Sequence, residues 1–585
     1  MTPDPRTGWS IDDGAHRPAS RWWPPVVALV AIAGHLPVLG AWWHDDDWQL
    51  LAGAAGLGRP EGGAARWLSR RLYWDLLYPL FGTDPHPWAW TRLALFGVAA
   101  ALVVVIVRRL GRGPATALAA GLLTALSPLA FTPLRWAAGA QELLGVALGL
   151  LAVERCLAGG RVGAVTGLLA GAGAILAKEN ALLLPAVLWL LPAADAAARR
   201  RVRSVALLLV PLALLEAWWI WRGFDHGPAG LFTLDAGAVA VNLAQYGWWL
   251  ASPGPVLLRK FSFVVGLGGL LAWILWASWA RWRWREGDRL PAGMLAAALL
   301  TLLPALPLRT RVQPYLALAA AVPAVITLAA ALVPYFFPMK RPRWNVVLPV
   351  LVATTALAWL GTSWRTARRG PDGLPRDPEV RAAAISHGAV TALRAVPPDR
   401  APVIGLLQPR FHRREERLPL PTPLYAALGG PWGPRLLAAP GQEIRWTTDL
   451  ADLPADALVF VDDRTRLRFW GPVPQAWLYW CLNAIAHDRP LAAADALGRA
   501  MRMGRRDALA FLFDPDQMPV DMALVRRHAP AFLQVLGAAS LSDREKQAML
   551  ETARELLRAA DALPPERTAP PRRPPAAPDT LAGEE

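Results

Sequence analysis

The chain has 585 residues, 54% of them apolar and 18% charged, with a positive mean hydropathy. Apolar residues gathered in blocks of membrane-crossing length exclude a single soluble domain. A net charge of +16 would suit nucleic acid in a soluble protein, but here the basic residues sit mainly in short loops between apolar runs, where they set orientation, and nucleic acid is disfavoured as a partner. Only Cys156 and Cys481 occur, so there is neither a disulfide framework nor a cysteine metal site.

In chain order, residues 1–22 are polar and read as a cytoplasmic segment. The apolar run from Pro24 to Ala41 lacks the cleavage context of a signal peptide and reads as a retained first span. Directly after it stand His44, Asp45, Asp46, Asp47 and Trp48. Adjacent carboxylates repel one another, and near a bilayer their charge is costly unless it meets a polar cavity, a cation or a proton-transfer task. The loop from 42 to 91 carries Arg59, Arg66, Arg70 and Arg71 with Trp67, Trp74 and Trp88, a mixture suited to an amphipathic helix lying in the interface. Further spans are expected at about 92–107, 115–131, 137–154, 162–177, 180–194, 204–221, 262–280, 291–307, 315–337 and 345–361, about eleven crossings in all.

Basic residues should cluster in every second connection. They do so at Arg108, Arg109 and Arg112, at Arg155 and Arg161, at Arg199 to Arg203, at Arg281 to Arg289, and at Lys340 to Arg343. These five connections are assigned to the cytoplasm. By parity the acidic cluster, the 135–142 loop, Lys178-Glu179, the stretch from Trp221 to Lys260, and Arg309-Thr310-Arg311 face outward.

Beyond Trp364 the character changes to Pro-rich loops with strand-like runs at 403–407 and 457–461. Helical patterns follow at about 475–487, 490–503, 520–538 and 542–561, the last opened by a capping box of Ser542 and Glu545. The expected fold is therefore an α-helical polytopic membrane domain over 23–362, then an extracytoplasmic soluble domain over 363–563, α/β or mostly helical. A disordered Pro-rich tail over 564–585 closes the chain.

Three stretches carry a family resemblance: HDDDWQLL after the first span, SPLAFTPLRWAAGAQELL at 127–144, and AKENALLLP at 177–185, with LPLRTRVQPYL at 306–316 as a weaker fourth. Their order resembles the GT-C superfamily of membrane glycosyltransferases, in particular relatives of the protein O-mannosyltransferases, the aminoarabinose transferase of lipid A and the TMTC-type mannosyltransferases. One departure is Ala140, which stands where an Arg is usual. The resemblance covers residues 24 to about 361 and leaves the tail domain without a counterpart.

The resemblance implies an inverting transfer of sugar from a polyprenyl-phosphate donor to an acceptor at the outer face of a bacterial inner membrane. A hydroxyl acceptor then needs a carboxylate base, and the leaving phosphate needs Arg, Lys or a metal ion to meet its growing charge. Asp46 aligns with the first acid of the family pair and is the expected base. Asp47 is its positioning partner or a ligand to a divalent metal, and Asp45 is a rival base because three acids in a row leave the register open. Arg135, Glu142, Lys178, Glu179, Arg309, Arg311 and Tyr315 are the expected substrate-binding residues. The partners implied are the lipid-linked donor, membrane lipids, and a glycan, lipid or protein acceptor.

Each assignment has a structural alternative. Acids outside a span often begin a solvated loop, Lys178 and Glu179 suit an ion pair closing a hairpin, and Glu142 suits the positive end of its own helix dipole. Arg309 and Arg311 suit interface anchors, His44 and His226 read as loop residues, and the Trp-rich runs read as interfacial belts. Asp462-Asp463 at a strand end imitates a nucleotide-sugar site, yet Asp is common there for backbone bonding. Phosphate-binding Gly-rich loops, zinc helices and nucleophile elbows are missing from the sequence, which disfavours ATP-driven transport and membrane proteolysis of those types. A transporter or flippase of lipid-linked glycans and a non-catalytic scaffold are the competing readings. The first of these predicts ionisable residues deep inside spans.

Overall fold

The computed structural model describes residues 21–58, 65–191, 196–224, 235–251, 263–308, 313–336, 344–408, 422–486 and 490–503, together with 547 and 551. The chain divides into two compact units between His387 and Gly388, so residues 363–387 go with the first.

The first unit opens with α1 (Trp23–Gly34), which ends seven residues before the expected apolar run does. Pro37 supplies no N–H for a helical bond, and 36–40 continues only as a 3₁₀ turn. The following loop is largely helical, with α2 (Asp46–Ala54), a π-helical turn at Leu68–Leu72 and α3 (Tyr73–Phe81). Then α4 (Pro85–Arg109) starts seven residues before the expected span, because Asp84 caps it through the N–H of His86 and Pro85 occupies the first helical position.

The remaining helices are α5 (Pro114–Ala125), α6 (Phe131–Arg135), α7 (Ala140–Ala158), α8 (Gly160–Ala177) and α9 (Leu184–Leu190). They continue as α10 (Ala196–Phe224), α11 (Ala236–Ala251), α12 (Phe263–Arg285), α13 (Leu290–Leu302), α14 (Leu318–Phe336), α15 (Trp344–Ala367) and α16 (Pro378–Arg394). Among the described residues, eight helical segments are long and apolar enough to cross a membrane, and three shorter apolar ones lie at Trp23–Gly34, Glu179–Leu190 and Leu290–Ala305. Each of the eleven expected spans thus has a helix, eight of them of full crossing length. The stretch after Trp221 also contains α11, which was expected as loop.

Glycines set the closest approaches. Gly163 and Gly167 of α8 face the α7 backbone, where an added Cβ would lie 2.7 Å from the Arg155 carbonyl and 3.3 Å from that of Ala152. Asn242 of α11 donates through its amide to the carbonyls of Leu306 and Leu308, both at 2.7 Å, which pins that helix to the end of α13.

The second unit holds β1 (Val403–Leu407), α17 (Pro423–Ala427), α18 (Trp432–Leu437), β2 (Glu443–Thr447), β3 (Leu458–Asp462), β4 (Leu467–Pro472), α19 (Val473–Ala486) and α20 (Pro490–Arg502). The sheet order is β2-β1-β3-β4, with β1 parallel to both neighbours and β4 antiparallel to β3. Ile404, Leu406, Ile444 and Phe460 form its core with Leu393 of α16. The expected strands at 403–407 and 457–461 and the helices at 475–487 and 490–503 are present, and those at 520–538 and, apart from 547 and 551, at 542–561 lie outside the described residues. Asp462 accepts hydrogen bonds from Gln408 Nε2 at 2.9 Å and from the Thr422 hydroxyl, while Asp463 pairs with Arg466 and Arg468. Those bonds tie the strand end together, in keeping with the structural reading of that acid pair.

Candidate functional site

The acidic cluster enters α2 through Asp45, whose φ of 50° is rare for a residue with a side chain. The three carboxylates have different surroundings. Asp46 is exposed, whereas Asp47 is fully buried. Its Oδ1 accepts from the Ala138 N–H at 2.6 Å, and its Oδ2 from the His44 N–H at 3.1 Å. Burial pushes the Asp47 carboxyl up to about 6 against the opposing pull of His44, of those two N–H groups and of Arg92.

His44, expected as a loop residue, is instead fully buried. Its Nδ1 faces the Trp42 carbonyl at 3.1 Å and its Nε2 faces Glu379 Oε2 at 3.2 Å. Burial alone lowers a histidine, but Glu379, Asp47 and Asp45 outweigh it and raise the imidazole to about 9. His44, Asp45 and Glu379 bring one nitrogen and two carboxylates within 4.8 Å of one another, a set that divalent cations accept. The geometry fits a proton better than a metal, because both ring nitrogens already meet oxygen acceptors and an imidazolium satisfies both.

A second group lies where α8 breaks. Lys178 leaves the helix with extended backbone, and its Nζ lies 3.0 Å from Glu142 Oε1 and 3.1 Å from Glu179 Oε1. Glu179 also pairs with Arg66 at 2.8 Å, and Arg66 reaches Gln141 at 3.4 Å. Glu216 of α10 accepts the backbone N–H of Arg66, which holds a left-handed φ of 55°. Asn180 donates to Glu142 Oε2 at 3.2 Å and to the Leu316 carbonyl at 3.1 Å. The ion pair is therefore a network, wider than a clamp between two neighbouring spans.

The two groups are neighbours. Arg70 lies within electrostatic reach of Asp46, Glu179 and Arg66. On the other flank, the rings of His44 and Trp136 are 6.3 Å apart and those of Trp136 and Tyr315 are 6.1 Å apart. Tyr315 in turn feels Glu142, Glu379 and Glu179. Arg135 is buried at the end of α6, where it donates to the carbonyls of Gly40 at 3.0 Å and Pro37 at 3.4 Å, so its guanidinium braces the chain ahead of the acids. Arg309 and Arg311 lie outside the described residues.

A cavity of about 110 Å³ begins at Glu142, Lys178 and Asn180. Val146, Leu150 and Val153 of α7, Leu184 and Val187 of α9, Met294 and Ala297 of α13, and Val322 and Ile326 of α14 line the rest. From Glu142 to Val153 it follows α7 for roughly 16 Å. It is an apolar slot with ions at one end, a shape that suits an amphiphile with a charged head and a hydrocarbon tail. Trp74 and Trp88, expected in an interfacial helix, are buried together with Trp43 beside the acids, and the Trp43 indole donates to the Thr83 carbonyl at 2.7 Å.

His44, Glu379, Arg66, Arg70, Gln141 and Asn180 join the site without having been singled out as site residues. Position beside the acids was the available signal for His44, and the Arg-rich loop for Arg66 and Arg70. No local pattern marks Glu379.

No family model and no curated relative matches the chain. Among solved structures, the apo crystal structure of the Archaeoglobus fulgidus oligosaccharyltransferase is similar to it at a TM-score of 0.38 and 13% identity, over 72% of this chain. The match spans 64% of that protein, just under two thirds of its length.

Proposed function

We propose that the chain is a membrane glycosyltransferase that moves a sugar, with inversion, from a polyprenyl-phosphate donor to an acceptor at the extracytoplasmic face. The observation that carries this reading is the apolar slot ending at Lys178, Glu142 and Asn180, with the acids of α2 adjoining that end through Arg70. The prenyl chain occupies the slot, and its phosphate meets Lys178, Arg66 and Arg70 as charge grows on the leaving oxygen. Since Lys178 already touches two carboxylates, the phosphate competes with Glu142 and Glu179 for it.

Asp46 is the base in this reading, because an exposed carboxylate is free to take the acceptor's proton. Asp47 spends its oxygens on backbone N–H groups and acts as a positioning residue, holding the loop against Ala138. Asp45 shapes the entry to α2, and Tyr315 and Arg135 support the rim. The membrane is a bacterial inner membrane, with the second unit outside the cytoplasm.

The test is transfer of radiolabel from polyprenyl-phosphate sugars to extracted acceptors by purified protein. Asp46→Asn should abolish transfer and leave insertion and folding intact. Absence of transfer from any donor, together with movement of lipid-linked glycans across liposomes, would overturn the proposal in favour of a transporter.

A further inference from the structure

A second cavity, of about 420 Å³, lies between α8 and α10. It is ten or more residues along α8 from Lys178, roughly 15 Å at the helical rise. Ala164, Val165 and Leu168 line it from α8, and Arg200, Arg201 and Leu208 from α10. Val165 and Leu208 are 57% and 63% exposed, so the apolar flank of the groove opens sideways, toward lipid for helices that cross a membrane.

Its other end is strongly positive. Both α8 and α10 begin here, so two helix dipoles present their positive ends together. Arg161, Arg199, Arg200, Arg201 and Arg203 add their charges within the first two turns or so of these helices. The acid at this end of α7, Glu154, is already held by Arg109 and Arg155. Arg201 packs against the α7–α8 turn, where a Cβ on Gly159 would lie 3.0 Å from its Nη2, and its buried Nε has no hydrogen-bond partner among the described residues. Clustered guanidiniums at two positive dipole ends repel one another, and a phosphate oxygen would relieve that repulsion.

We propose that this groove binds one anionic phospholipid. Arg200 and Arg201 hold its phosphate, and an acyl chain lies along Ala164, Leu168 and Leu208. Basic pockets between membrane helices take phosphate headgroups in this way. The bound lipid bridges α8, which leads into Lys178, to α10, which carries Glu216. The inference is independent of the glycosyltransferase reading.

Full-length protein in detergent, mixed with equal amounts of phosphatidylglycerol and phosphatidylcholine of the same acyl chains, is read by native mass spectrometry. The wild type should retain one phosphatidylglycerol with a preference of about ten-fold or more. R200Q/R201Q should lose that preference, whereas R281Q/R285Q, which removes the same charge elsewhere, should keep it. Ala164→Phe, which fills the groove and leaves the charges, should lose it too. The single variants R200Q and R201Q serve if the pair does not fold, each weakening the preference. The proposal is overturned by an unchanged preference in R200Q/R201Q or Ala164→Phe, by equal loss in both double variants, or by displacement of the lipid with millimolar inorganic phosphate alone.

Discussion

The His44 imidazole and the Glu379 carboxylate lie 3.2 Å apart although 335 residues separate them in the chain, and the bond fastens the first loop to α16. With its imidazole raised from 6.5 to about 9, His44 binds its proton more tightly in the folded protein than in the unfolded one. Such a group stabilises fully below its unfolded value, and the contribution is lost as pH rises through the folded value. Thermal unfolding in detergent should therefore show stability falling between about pH 6.5 and 9, by a few kcal/mol at most. Glu379→Gln should flatten that fall, and equal slopes in the two proteins would show that the pair does not act.

Lys178 lies between two carboxylates, with Glu142 nearly fully buried. Lys178→Met leaves Glu142 without its cation while Glu179 keeps Arg66, and a loss of about 3–5 kcal/mol is expected. Adding Glu142→Gln should recover a large part of it, because one stranded charge is removed. Denaturant midpoints of the two variants check this, and a double variant no more stable than the single one would contradict it.

The neighbouring acids should separate in their effects. Asp47→Asn turns one of two acceptor oxygens into a donor facing a backbone N–H, which should cost about 1–3 kcal/mol. Asp46→Asn, at an exposed position, should change stability by less than about 0.5 kcal/mol. Melting curves of both, measured beside the transfer assay, distinguish a folding defect from a chemical one.

Packing offers a test free of any functional assumption. A Cβ on Gly269 of α12 would lie 1.7 Å from the Ala244 carbonyl oxygen of α11, and backbone cannot yield as a flexible side chain does. Gly269→Ala should cost at least about 1–3 kcal/mol. Gly361→Ala meets nothing within 4 Å on α15 and should be neutral or stabilising by up to about 1 kcal/mol. The thermal midpoints of the two variants should move apart accordingly.

Hydropathy carried much of the helical framework, since each expected span contains a helix. It misjudged ends where caps and prolines decide, at Pro37 and at Asp84-Pro85. Two strands were legible as apolar runs, Val403–Leu407 and Leu458–Asp462, whereas Glu443–Thr447 mixes polar and apolar residues and Leu467–Pro472 contains Gly471 and Pro472. In the site, Lys178, Glu179 and Glu142 announced themselves as charges at span ends. His44 and Glu379 did not, because each meets its partner from hundreds of residues away. Gln141 and Asn180 are uncharged, and only their contacts reveal that they saturate carboxylates or receive guanidinium protons.

The left-handed turn at Asp45 makes the order of the three acids consequential. Successive residues on a helix point about 100° apart, so the same turn that sends one carboxylate into the dry interior leaves its predecessor wet. Inserting a single residue ahead of Asp46 would carry Asp46 into the buried place that Asp47 now holds, and deleting one would carry Asp47 into the exposed place that Asp46 now holds. Chemistry here hangs on phase as much as on identity.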